Sequence, residues 1–186
     1  MKKLAALMLI CLTLTGCTKT RNMLDKAMTL RANLLACESC SFDAAITADY
    51  GDQIHRFRMN CVGDNDGDVE FTVTEPETIS GITGVIDGEE GKLTFDDKGV
   101  AFSLLADGQV SPVSGPWILM KTLLGGYLTA CNEEGGLMHL LINDSYAEDA
   151  LELEIWLDEE VKPIRAEIGY EGRRILTMEI ENFQIQ

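Results

Sequence analysis

From Cys40 to the C-terminus, apolar side chains recur at every second position in one short run after another. This constrains the fold more than any other feature of the chain. Phe42, Ala44, Ile46, Ala48 and Tyr50 alternate with Asp43, Ala45, Thr47 and Asp49. After the turn "YGDQ", His55, Phe57, Met59 and Cys61 keep the phase, which predicts a long hairpin with those residues on its inner face. "VEFTVTEP" repeats the pattern with Val69, Phe71 and Val73 inward, and Pro76 stops it because proline has no N–H to give a ladder. "TISGITGVI", "GKLTFDD" and "GVAFSLL" read as further strands parted by "DGEEG" and "DKG". "LMHLLIND", "ALELEIWLDEE", "PIRAEIGY" and "RRILTMEIENFQI" end the chain. In the last of these the inward phase passes from Leu176, Met178 and Ile180 to Phe183 and Ile185, which marks a bulge near Glu181.

Two stretches have a helical period instead. Between Met23 and Ala36, the residues Leu24, Ala27, Met28, Leu34 and Leu35 recur at helix spacing, with Asn22 placed to cap and Asp25 near the positive end. Such a stripe packs on the domain's own core or lies on a membrane. In "SPVSGPWILMKTLLGGYLTAC", Ser114 or Gly115 can cap and Pro116 suits a first turn. The run reads as one helix weakened at Gly125 and Gly126. The order is helix, about six strands, helix, about four strands, an α+β chain. A large antiparallel sheet twists, so it curls into a half-open β-barrel whose apolar concave face the helices must cover. Trp117, Leu119, Leu123 and Leu124 of the second helix, with Phe71 of the sheet, are candidates to line a ligand cavity there. The same residues suit a closed core equally well.

The N-terminus is of another kind. In "MKKLAALMLICLTLTGC", two lysines precede an apolar run that ends in small residues, the layout of a secretory signal. The run is shorter than the roughly 20 residues that cross a bilayer. "LTGC" resembles the bacterial lipobox, which implies cleavage before Cys17 and lipidation of that cysteine. Residues 1–16 are then a signal peptide, 17–22 a lipidated tether and 23–186 a single domain, held by acyl chains on the extracytoplasmic face of the cell membrane.

Charge and motifs narrow the function. The net charge of −16 makes nucleic acid a poor partner. Outside the membrane, thiols tend to pair; with Cys11 in the signal segment and Cys17 at the lipobox, the four remaining cysteines allow three pairings. Cys40 and Cys61 fall on inward faces of neighbouring strands, and Cys37 with Cys131 would then join two helix ends. "CESC" at Cys37 to Cys40 lacks the helix N-terminus that activates a redox pair, and no second close pair suggests zinc. "DNDGD" at Asp64 to Asp68 has the spacing of a calcium loop, but Val69 stands where that loop needs glycine, and a hairpin turn explains the same letters. His139, Asp144 and Ser145 are near in sequence without a nucleophile elbow, so no enzyme, metal or cofactor is read from the chain.

The run "FTVTEPETISGITGVIDGEEGKLTFDD" resembles a segment of LolA/LolB-type lipoprotein-carrier folds, and the order of elements matches over nearly the whole domain. With the lipobox, the chain is most similar in appearance to small Gram-positive lipoproteins that include the germination family GerS. The resemblance implies acyl-chain binding in an apolar concavity, or a partner module, dimeric or joined to a cell-wall hydrolase. An anchored chain departs from a freely moving carrier.

Overall fold

The structure is a computed structural model, and it describes residues 21–186 except 89, 96, 97, 104, 107, 108 and 149. The expected signal peptide and Cys17 lie outside the described residues. Helix α1 covers residues 21–36. It is already running at residue 21, so Asn22 lies within the helix and not at its cap.

A sheet of eleven strands follows. The strands are β1 (Cys40–Asp49), β2 (Ile54–Gly63), β3 (Val69–Glu75), β4 (Thr83–Asp87), β5 (Glu90–Phe95) and β6 (Lys98–Ser103). A small hairpin of β7 (Leu105–Ala106) and β8 (Gln109–Val110) leads to helix α2 (Gly115–Gly125). The chain then returns through β9 (Tyr127–Glu134), β10 (Leu137–Asn143), β11 (Glu152–Leu157), β12 (Pro163–Tyr170) and β13 (Arg173–Ile185). The spatial order is β6-β5-β4-β3-β2-β1-β13-β12-β11-β10-β9. Every pairing in it is antiparallel. Two meanders are thus joined along β1 and β13, and the sheet stays open with β6 and β9 as its edges.

The alternation read from the sequence sets the inner face. Phe42, Ala44, Ile46 and Ala48 of β1, Val69, Phe71 and Val73 of β3, and Leu153, Ile155 and Leu157 of β11 are all buried, in one continuous core with α2 and the inner side of α1. The bulge in β13 is present. Asn182 takes a left-handed φ of 55°, the register with β1 slips between Ser41 and Asp43, and Phe183 turns inward, though Ile185 remains 39% exposed.

Several expectations are corrected. His55 has the inward parity but sits beyond the covered part of the sheet, exposed, with its ring tilted against Tyr50. After Pro76 the chain makes a 3₁₀ turn at Glu77–Ile79, so the next strand starts only at Thr83. The second helix ends at Gly125, and Tyr127 opens a strand; five strands therefore follow it, not four. Gly126 makes that exit. A Cβ there would lie 2.7 Å from the Thr122 carbonyl oxygen and 2.7 Å from Ile142 Cγ2, so only glycine lets the chain leave so tightly. "DNDGD" forms a turn, in which Asp64 Oδ1 accepts from the backbone N–H of Asp66 and Asp68.

Candidate functional site

Among the described residues, the candidates for a cavity on the concave face pack in or against the core. Leu119, Leu123, Trp117 and Phe71 are buried in the core, and Leu124 is half-buried beside the β2–β3 turn. Gly115 lets α2 settle on the sheet, since a Cβ there would stand 3.0 Å from Met178 Sδ. Further along the helix, Met120 Sδ lies 3.4 Å from Cys40 Sγ. Between α1, α2 and β10, around Leu123, Leu128, Leu140 and Ile142, the remaining space is about 10 Å³, at the lower limit for a single water. The residues expected to line a ligand cavity thus form closed core.

Space opens instead on both flanks of α1. Ala27, Leu30 and Leu34 hold the helix to the core, and Arg31 ties it to α2. The Arg31 guanidinium donates to the carbonyls of Leu123 (2.6 Å), Gly126 (2.8 Å) and Thr122 (3.3 Å). All three lie at the end of α2 and its exit, where Thr122 O also accepts from the Gly126 N–H at 2.8 Å.

On one flank, a groove of about 620 Å³ runs between α1, the β11–β12 turn and the end of β13. Leu30, Val161, Phe183 and Ile185 provide its apolar surface. Asp25, Lys26, Thr29 and Asn33 of the helix face Glu160, Lys162 and Gln184 across it. Val161 holds φ at 65°, a left-handed conformation rare for a β-branched residue. The turn fixes it there. Val161 N–H donates to Asp158 O, and Lys162 N–H to Asp158 Oδ1. Strain of this kind gathers at binding sites. On the other flank, a second groove of about 620 Å³ lies between α1 and β9, lined by Leu24, Met28, Arg31 and residues Leu128 to Asn132.

All four cysteines are buried free thiols, so the expected Cys40–Cys61 and Cys37–Cys131 bridges are not formed. The register gives the reason for the first pair. Cys40 faces Gly63 and Cys61 faces Phe42, so the two are diagonal neighbours. Such neighbours stand about 7–8 Å apart, beyond the usual Cα separation of a disulfide. Burial pushes the Cys40 thiol up to about 12, with a smaller contribution from Cys37, and burial likewise pushes the Cys61 thiol up. These are poor nucleophiles.

His139 lies in β10 with its ring stacked on Trp156 at 4.5 Å. Its Nδ1 is 3.4 Å from Glu134 Oε2, and its Nε2 is 2.9 Å from Glu154 Oε2 without hydrogen-bond alignment. Asp144 and Ser145 do not join it. Their side chains accept from the backbone of Leu151 and Ala147.

No family model matches this chain, and no curated protein matches it. Among solved structures it is similar to a LolA superfamily protein from Nitrosomonas europaea, at 12% identity over 90% of this chain and 93% of that one, with a TM-score of 0.45. It is similar to lipoprotein LppX from Mycobacterium tuberculosis at 12% identity over 88% and 95%, with a TM-score of 0.43. It is also similar to a chain in the Pseudomonas aeruginosa MucA/MucB complex, at 14% identity over 86% and 56%, with a TM-score of 0.40. The narrower resemblance to GerS gains no support from these comparisons.

Proposed function

We propose that the protein is a non-enzymatic lipoprotein, anchored through Cys17 on the extracytoplasmic face of the membrane, which holds one hydrophobic ligand such as an acyl chain. The observation that carries this reading is the groove between α1, the β11–β12 turn and β13. Its volume of about 620 Å³ falls within the range of ligand sites, and it joins an apolar surface to a polar rim. The rim suits a ligand with a polar head. Lys26 and Lys162 can meet a carboxylate or phosphate, and Asn33 and Thr29 add hydrogen bonds. Among the described residues no helix is long and apolar enough to cross a membrane.

The test is native mass spectrometry of the chain against added fatty acid and lysophospholipid, beside a Thr29→Trp variant. Thr29 is exposed on α1, so the indole enters the groove without disturbing the core. A bound lipid that Thr29→Trp excludes supports the site. No adduct on either chain sinks it.

The filled concavity favours a second reading, a partner module that assists a cell-wall hydrolase as a germination accessory, or that works as a homodimer. Capture of one such enzyme by the lipid-free protein, with no lipid adduct, would decide for it.

A further inference from the structure

Helix α1 carries more apolar surface than its core uses. Ala27, Leu30 and Leu34 point inward. Leu24, Met28 and Leu35 form a second stripe, spaced four and seven residues apart, and they are 42%, 48% and 51% exposed. Arg31 lies in the same stripe. Beside it runs β9, the free edge of the sheet, and the two border the open groove lined by Leu24, Met28, Leu128 and Ala130. Tyr127 begins that edge strand with its ring 3.7 Å from that of Tyr146, which is 84% exposed.

The charge of this face is unlike that of the rest of the molecule. The chain carries 31 acidic residues, yet none lies among those lining this groove, whose one charged residue is Arg31. A protein of net charge −16 is repelled by an anionic bilayer except where it shows a neutral or basic face. The position agrees. If Cys17 is lipidated, three residues lie between it and residue 21 of α1, so even a fully extended tether spans no more than about 14 Å over its four steps.

We propose that the outer stripe of α1 and the adjoining edge strand β9 dock on the phospholipid bilayer, so that the domain sits on the membrane in one orientation and does not hang from its tether. This rests on the anchorage proposed above. Leu24, Met28 and Leu35 enter the headgroup region, and Tyr127 and Tyr146 sit at the interface, where amphipathic rings gather. Docking leaves the opposite flank of α1, with its polar rim, facing away from the stripe and open to solvent.

Hydroxyl-radical footprinting tests it on the full-length lipidated chain, reconstituted in vesicles of phosphatidylglycerol and phosphatidylethanolamine, against the Cys17→Ser chain in solution. Oxidation of Met28, Leu35 and Tyr146 is expected to fall by about threefold or more on vesicles as the stripe enters the headgroups. Ile54 and Val85, exposed on β2 and β4, serve as controls and should not change. A Leu24→Glu/Met28→Glu variant, altered only at exposed positions, is expected to float with the vesicles yet lose the protection. Floating with Met28 oxidised as fast as in solution overturns docking alone. A chain that fails to float overturns the anchorage and the docking with it. Protection that appears without vesicles and grows with protein concentration assigns the stripe to a second copy and also overturns the proposal.

Discussion

Phe71 lies across Gly84, its cross-strand partner in β3–β4, so closely that a Cβ on the glycine would stand 2.2 Å from the ring. The ring is buried and cannot swing aside, so Gly84→Ala is expected to cost about 1–3 kcal/mol through overpacking, seen as a lower urea midpoint with an unchanged slope. A midpoint equal to that of the parent would show that the ring has room to move. The thiols give a second prediction. Because burial raises Cys40 from 9.0 to about 12, the folded thiol keeps its proton at a pH where the unfolded one has lost it. Its contribution is complete below about pH 9 and is lost as the pH rises towards 12. Stability measured by denaturant should therefore fall across that interval. The four thiols should ignore a thiol reagent at pH 8 until the chain unfolds, whereas fewer than four thiols titrating after denaturation would show a bridge. Sequence pointed to pairing because the compartment favours it. The diagonal offset of Cys40 and Cys61 depends on hairpin register, which parity of burial does not specify.

At the scale of elements, the strands were legible because each had one covered face, and two-residue alternation records that directly. The bulge in β13 was legible for the same reason, as a break in phase. What was missed came from contacts distant in sequence. The end of α2 at Gly126 depends on Ile142, and the continuation of the chain as an edge strand has no strong alternation, because β9 is only partly covered. The role of Arg31 was equally hidden, since its carbonyl partners lie more than ninety positions away. Its three hydrogen bonds join α1 to the end of α2 and the strand exit. Arg31→Ala is expected to cost about 1.5–3 kcal/mol, the worth of hydrogen bonds from a charged donor, and hence to lower Tm by roughly 3–10 °C in a domain of this size. Arg31→Lys should recover less than half of that, because one ammonium cannot reach three carbonyls as a fork does. Calorimetry of the three proteins decides it. Equal Tm values would mean that water caps α2 as well as the arginine does.

At the scale of the molecule, architecture and site differed in how far sequence reached. The curled sheet follows from strand count, twist and the need to cover an apolar face. Whether the covered face encloses a cavity depends on side-chain volumes such as those of Phe71, Met120 and Trp117 meeting in space, and closed and open versions share one pattern. The grooves beside α1 are legible only once the helix is placed, for two sides of the helix are apolar in sequence, yet Leu24 and Met28 lie outside the core and Leu30 and Leu34 within it. Charge remains the property that sequence does set for the whole particle. With a net charge of −16 and exposed ion pairs such as Lys162–Glu160 and Arg58–Glu75 worth little each, repulsion among carboxylates should outweigh attraction. Raising salt from about 10 mM to about 150 mM shortens the screening length from roughly 30 Å to about 8 Å, which weakens that repulsion over most of the surface. The soluble Cys17→Ser chain should therefore gain a few degrees in Tm, while Arg31→Ala gains as much, because its lost bonds are short and shielded from the salt. A Tm that falls with salt would show that the ion pairs, and not the surplus of acids, govern the surface energy of the fold.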